Sequence, residues 1–318
     1  MKKGITVILC TFNGAARLPK TIDHLAAQKV SGDLNWELIV VDNASTDRSS
    51  EVVKTLWEQH NNNPRVSLNL ALENTPGKLF AFQKGIALAK YEYFIICDDD
   101  NWLKADYVQT AFDILEKNMR IGALGGQALA ATTSILPYWF KAVQEGYAVG
   151  TQAKNTGDVT SKGMLWGAGL SSRTQLYKDM YDDFPSLLID KNDHRILTAE
   201  DSEYCLRLVL KGYQLYYDSR LSLHHYIPDG RLTLTYKNSL FDNFKKANLI
   251  IDNYFIAIKY KLNISLLNRI RLTLITPIRY FLASNKQKKY RQRIIMCYLF
   301  PFIKPDPTTA KIKAFMNK

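Results

Sequence analysis

Ile95-Ile96-Cys97-Asp98-Asp99-Asp100-Asn101-Trp102 decides how this chain is read. The apolar run from Tyr93 to Cys97 has the length of a buried β-strand. It ends in three consecutive carboxylates, whose mutual repulsion is costly unless something relieves it. A divalent cation would do so. Mg²⁺ and Mn²⁺ take oxygen ligands, often one or two carboxylates together with phosphate oxygens and water. The competing reading is a solvated acidic loop that leads into the next helix.

Toward the N-terminus the same pattern recurs. Ile5 to Cys10 is a short apolar run that gives way to Thr11-Phe12-Asn13-Gly14, and Trp36 to Val41 is a second that ends at Asp42-Asn43. Val66 to Leu70 reads as a third. Between them, Leu18 to Gln28 has helical spacing, with Leu18, Ile22, Leu25 and Ala26 on one face. Ser45 and Asp47 are candidate caps for a helix running to about Gln59, and Lys78 to Ala89 is a further helix. Strands alternating with helices predict a doubly wound, mainly parallel sheet. In such sheets ligands bind beyond the carboxyl ends of the strands. Thr11, Asn13, Asp42 and Asp98 are therefore expected at one edge. Downstream, helices are expected over Ala105 to Asn118, Thr174 to Met180 and Glu200 to Lys211, the last stopped by Gly212. A strand follows over Gln214 to Tyr217. Residues 128–160 show no clear period.

The 318 residues allow one large α/β domain with an appendage, and 47% hydrophobic with 23% charged residues is an ordinary globular balance. Cys10, Cys97, Cys205 and Cys297 stand singly, so neither a zinc knuckle nor a redox pair is indicated. They are expected to be reduced thiols in a cytosolic protein. The opening Met-Lys-Lys and its short apolar run do not fit a secretion signal, and no apolar run approaches the ~20 residues of a membrane-spanning helix. The net charge of +12 is concentrated at one end: residues 237–318 hold 17 Lys and Arg against Asp242, Asp252 and Asp306. A tail of one sign points to an anionic partner. Its apolar stretches, Leu249 to Ile258, Leu272 to Ala283 and Ile294 to Ile303, are interrupted by Asp252, Arg279 and Pro301. They suit amphipathic helices at a membrane interface. Packing on the rest of the chain is the alternative, and the interleaved aromatics make nucleic acid a weaker one.

Five segments in order resemble family 2 glycosyltransferases of the GT-A fold, over about residues 4–230. Thr6-Val7-Ile8-Leu9-Cys10-Thr11-Phe12-Asn13 is similar to the family's opening strand and turn. Glu37 through Asp47 resembles the second strand and its acidic loop, and Gly77 through Gly85 resembles a Gly-Lys-x-x-Ala-x-Asn-x-Gly segment. Asp98-Asp99-Asp100 matches the Asp-x-Asp metal motif. Glu200-Asp201-Ser202-Glu203, with Arg207 and Gly212-Tyr213, resembles the helix that carries the base. The resemblance implies that Thr11, Asn13 and Asp42 hold a uridine-like nucleoside, that Lys78 contacts the donor phosphates, and that Asp98 and Asp99 lie beside the donor. It implies a divalent metal, Mn²⁺ or Mg²⁺, on Asp98 and Asp100. It further implies a histidine ligand, His225 slightly before His224, the choice resting on facing because adjacent strand residues point opposite ways; a surface or packing histidine is the alternative.

Asp201 is the implied general base, its pKa open to being raised by the neighbouring Glu200. The alternative is that both acids merely favour a helix N-terminus. Trp166 and Gly167 fall where the family has an acceptor-side loop, with Glu200 beside them; a Trp buried in the sheet core is the bland alternative. Gln83 departs from the usual Asn of its segment. A Gln-x-x-Arg-Trp segment is absent after Asp201, which implies transfer of a single sugar rather than polymerisation. Inversion at the anomeric carbon is a further implication.

The expected organisation is a GT-A domain over 1–236, with a donor half to about 104 and an acceptor half over 105–236, followed by a basic helical extension over 237–318. The expected partners are a nucleotide-sugar, probed first with UDP, a glycan or lipid-linked acceptor, and an anionic membrane surface. The expected location is cytoplasmic, on the inner face of the cell membrane. Two other functions compete. A sugar-phosphate nucleotidyltransferase would need a glycine-rich phosphate loop after the first strand, and Thr11 to Arg17 is poor in glycine. A non-catalytic binding module would keep the scaffold without the chemistry.

Overall fold

The computed structural model describes residues 1–60, 66–189, 197–262, 265–300 and 302–318; Pro301 lies outside them. The first half alternates as expected: β1 (Lys2–Thr11), α1 (Leu18–Ala26), β2 (Trp36–Asp42), α2 (Ser49–His60), β3 (Ser67–Leu72), α3 (Lys78–Leu88) and β4 (Tyr91–Asp98). Then come β5 (Asn101–Leu103), α4 (Tyr107–Lys117), β6 (Ile121–Ala131), the single-turn α5 (Phe140–Val143), β7 (Gly157–Asp158), β8 (Ser171–Arg173) and α6 (Thr174–Tyr181). The last part holds α7 (Glu200–Leu210), β9 (Gln214–Tyr226), α8 (Leu234–Leu262), α9 (Leu266–Phe281), α10 (Lys286–Leu299) and α11 (Pro307–Asn317).

The strands form one mixed sheet in the order β3-β2-β1-β4-β8-β6-β9-β5, with β7 beside β9. The β3-β2-β1-β4 half is parallel throughout. β8 joins the halves by antiparallel pairing to both β4 and β6. Side chains along the central strands alternate between two layers, as a sheet covered on both faces requires. Ile5, Val7 and Leu9 of β1, with Tyr93, Ile95 and Cys97 of β4, pack under α1 and α4. Ile8, Cys10, Phe94 and Ile96 face the opposite layer, under α3, α6 and α7. Gly85 lets α3 settle on β1, because a Cβ there would stand 2.4 Å from Ile8 Cγ2. That close approach fixes the start of α3, and so Lys78, at the sheet's carboxyl edge.

All four cysteines are free and buried. Asp47 does cap α2, accepting the Ser49 N–H at 3.0 Å. Ser45 is not a second cap. Its hydroxyl accepts the Asn13 N–H at 3.0 Å and so ties two loops of the carboxyl edge together. β9 runs on to Tyr226 rather than stopping at Tyr217, because its far half pairs with both β6 and β5.

Four helices, α8 to α11, make up the last part of the chain, and much of their surface packs on the rest of it. Ile251, Tyr254 and Ala257 of α8 and Ile312 and Phe315 of α11 are buried in the same layer as α7. Ile294 and Cys297 of α10 are buried too. Two of the three apolar stretches of the tail therefore serve intramolecular packing. Among the described residues, no helix is long and apolar enough to cross a membrane.

Candidate active site

Strand register brings the expected residues together. Thr11 is paired with Asp42 across β1 and β2, and Cys10 with Asp98 across β1 and β4. Their carboxyl ends border an open cleft of about 1060 Å³, mouth included, with Thr11, Lys78, Asp98, Asp100 and His225 in its wall. The loops that shape this edge take unusual backbone conformations. Asn13, Ala44 and Ala199 all have positive φ (47°, 58° and 125°). For residues with a Cβ such conformations carry strain, which gathers at functional sites.

The three carboxylates have different partners. Asp98 receives the Lys78 ammonium at 2.7 Å. Burial disfavours charge on Lys78, but Asp98 and Glu200 outweigh it and hold the ammonium above its ordinary value. Asp99 is buried and bidentate with Arg17, whose Nε and Nη2 each donate at 2.8 Å. Its second oxygen also accepts the Thr11 hydroxyl at 2.7 Å. Arg17 sits at the start of α1, where the helix dipole disfavours a cation; Asp99 compensates. Asp100 is buried, with Arg231 Nη1 at 2.8 Å and His225 Nε2 at 3.4 Å. Burial acts to raise its pKa, yet His225 and Arg231 hold it well below the usual carboxylate range. In the reverse direction burial opposes the charge of His225, and Asp100 raises its pKa above the ordinary 6.5.

Pairing between β5 and β9 separates the two histidines. His225 lies opposite Asn101 and His224 opposite Trp102. His225 points to Asp100, whereas His224 is exposed beside the Trp102 ring, at 6.5 Å between centroids. Trp102 itself stacks on His24 and Tyr226, a packing role. Asp42 lies at the edge as expected, but its carboxylate is taken up locally. It accepts the Ser45 N–H at 3.0 Å and the Ser50 hydroxyl at 2.7 Å, and Asn43 beside it lines the cleft. Asn13 is exposed, and its side-chain oxygen accepts the Thr46 N–H at 2.8 Å.

Asp201 lines a chamber of about 450 Å³ next to the cleft, and Lys78 and Glu200 belong to the walls of both. Its Oδ2 accepts the Gly167 N–H at 2.8 Å and its Oδ1 the Ser202 N–H at 2.6 Å. Burial and then the Glu200 charge push its pKa up to about 6, against the pull of the Gly167 N–H. Trp166 is half-buried rather than a core residue, with the Lys162 ammonium 5.8 Å from its ring centroid.

Sequence reasoning missed Arg17 and Arg231, which neutralise Asp99 and Asp100, and Tyr236, which reaches the cleft wall from α8. Only Arg17 left a signal, as a cation at a helix start.

Whether these residues fit a divalent cation can be judged from their donors. Among the described residues no cage of three or more His, Cys, Asp or Glu is preassembled. Asp98 and Asp100 are nevertheless hard oxygen donors at the cleft wall. The 3.4 Å gap from Asp100 to His225 Nε2 is longer than an ordinary hydrogen bond. Such a set suits Mg²⁺ or Mn²⁺, which bind through one or two carboxylates and otherwise keep water and phosphate oxygens.

Comparison with known proteins bears on the same region. Residues 6–154 match glycosyl transferase family 2. A dolichyl N-acetyl-alpha-D-glucosaminyl phosphate 3-beta-D-2,3-diacetamido-2,3-dideoxy-beta-D-glucuronosyltransferase of Methanococcus voltae is 23% identical over 232 residues, 70% of this chain and 66% of that one. Glycosyltransferase GlyG of Streptococcus pneumoniae is 32% identical over 117 residues, 37% of this chain and 36% of that one. The chain thus spans less than two thirds of the length of these curated relatives. Residues 1–349 of S. aureus TarS, solved with UDP, superpose with a TM-score of 0.55 at 14% identity, covering 93% of this chain and 91% of that one. The mannosyltransferase PcManGT of Pyrobaculum calidifontis, solved with GDP-Man and Mn²⁺, gives 0.52 at 18% identity over 99% of this chain and 79% of that one. At such identities the structures speak for the fold. Together with the mixed sheet they show that this chain has the GT-A fold, and over residues 6–154 it is similar to glycosyl transferase family 2.

Proposed function

We propose that the chain moves a single sugar from a nucleotide-sugar, in the first instance a UDP-sugar, to a hydroxyl of a glycan or lipid-linked acceptor, with inversion and with a divalent cation. The observation that carries this reading is the meeting at one sheet edge of Thr11, Asp98 and Asp100 with Lys78, and of Asp201 in the adjoining chamber. Relatives solved with UDP and with GDP-Man support a nucleotide-sugar donor. A poly-beta-1,6-N-acetyl-D-glucosamine synthase of Staphylococcus aureus, 25% identical over 124 residues, supports a place in polysaccharide synthesis.

In this mechanism Thr11, Asn13, Asp42 and Asn43 form the nucleoside end, with Asp99 and Arg17 bracing Thr11. Lys78 and Arg231, already beside carboxylates, are the cations available to the diphosphate. Asp98, Asp100 and His225 would hold the metal, which offsets charge developing on the departing nucleoside diphosphate. Asp201 takes the proton from the acceptor hydroxyl as it attacks the anomeric carbon. The Gly167 N–H keeps its Oδ2 in place, and Trp166 and Glu200 flank the acceptor side. The basic extension sets the enzyme against an anionic membrane face on the cytoplasmic side.

The test is calorimetric titration of UDP into the full chain with Mn²⁺ and then with excess chelator. Binding that needs the metal and is lost in Asp100→Ala supports the donor site. Equal binding with chelator would overturn the metal's role. No binding of UDP, GDP or dTDP would overturn the donor reading.

A further inference from the structure

One helix of the extension keeps an apolar face open. Leu266, Leu267, Ile270, Leu274, Ile278 and Phe281 of α9 are each between 54% and 80% exposed. At about 100° per residue they fall within an arc of about 120°. Thr276, on the opposite side of the helix, is buried. Arg269, Arg271 and Arg279 lie outside the arc. α8 and α10 differ, since their apolar stretches turn inward.

Charge says what covers this face. No Asp or Glu occurs between Asp252 and Asp306, an interval with eleven Lys and Arg. Lys286, Lys288 and Lys289, just beyond α9, are exposed. A protein interface would have to leave this unbroken positive charge unanswered, or supply acids of its own that a second copy of this region lacks. A bilayer of anionic lipids offers hydrocarbon to the stripe and headgroup charge to its flanks at once. The 16 residues of α9 extend about 24 Å, short of the ~30 Å hydrocarbon core.

We propose that α9 is the membrane-contact element of this protein, lying parallel to an anionic phospholipid surface with its Leu267–Leu274–Phe281 stripe among the acyl chains. The proposal rests on the membrane setting given above and narrows it from the whole extension to one helix.

The experiment is co-sedimentation of the full chain with vesicles of phosphatidylcholine alone and of phosphatidylcholine mixed with phosphatidylglycerol. The expected result is pelleting with the mixed vesicles only. A triple variant, Leu267→Glu, Leu274→Glu and Phe281→Glu, should lower the partition coefficient at least about tenfold. All three positions are exposed, so UDP titration of the variant should match the parent and exclude misfolding. Failure of the parent chain to bind mixed vesicles would overturn the membrane setting and the α9 assignment together. Equal binding by parent and triple variant, with release by Lys288→Glu and Lys289→Glu, would keep the setting and overturn α9. Loss of self-association in sedimentation velocity, with vesicle binding unchanged, would assign the face to a second copy and overturn the proposal.

Discussion

Asp201 has two backbone N–H groups on its carboxylate and a pKa of about 6. A base must be ionised to accept a proton, so activity is expected to fall as pH drops through that value. Below about 6, kcat/KM should decline about tenfold per pH unit, read from initial rates across buffers. Asp201→Asn keeps the shape and removes the base. Transfer should fall by about 10²–10⁴-fold while UDP binding by calorimetry is retained; full transfer would remove Asp201 from the role. The carboxylates were legible in the sequence because three adjacent acids after an apolar strand are unusual. The cations that answer them were not. Arg231 reaches Asp100 from 131 positions away, on a turn with no periodic pattern. The choice between His224 and His225 likewise waits on which residue of β5 lies opposite.

At the scale of elements, apolar period and turn residues placed β1 to β4 and the helices between them to within a few residues. The far half of the sheet was less readable. β8 is three residues long and its Ser171, Ser172 and Arg173 are all buried. A strand without an apolar residue gives no hydrophobic signal; its burial is made possible by hydrogen bonds such as Ser172 with Tyr204 at 2.6 Å. β6 and β9 carry a register shift between Gly125 and Gln127. Gly126 sits in that shift, and a Cβ there would lie 2.0 Å from the Leu221 carbonyl oxygen. Backbone cannot swing aside as a side chain can. Gly126→Ala should therefore destabilise by about 1–3 kcal/mol or more, measured by urea unfolding. It should also weaken metal-dependent UDP binding, because His225 lies further along β9.

Over the whole molecule, the charge asymmetry was plain in the sequence but its meaning was not. A basic, amphipathic tail reads alike whether its apolar faces meet lipid or protein. Only the packed structure divides them, assigning α8, α10 and α11 to protein. Buried Arg207 of α7 joins these parts. It pairs with Glu203 at 3.0 Å, donates to the Tyr254 hydroxyl at 3.0 Å, and has the Phe315 ring of α11 5.3 Å from its guanidinium carbon. Phe315→Ala should cost about 3–5 kcal/mol in denaturant unfolding, and the loss of transfer should track the unfolded fraction rather than KM for the donor.

That same contact imposes an order in time. Glu203 and Arg207 follow Asp201 along α7, and the ring that covers the guanidinium belongs to residue 315. A nascent chain emerging from the ribosome can form β1 to β4 early, since the pairings of these strands with one another all lie within the first 98 residues. The Arg207 guanidinium of α7 lacks the Phe315 ring until α11 is also free. On the roles proposed above, the nucleoside end of the cleft would form well before the end that holds Asp201, and an unfinished chain would take up donor before it could pass on the sugar.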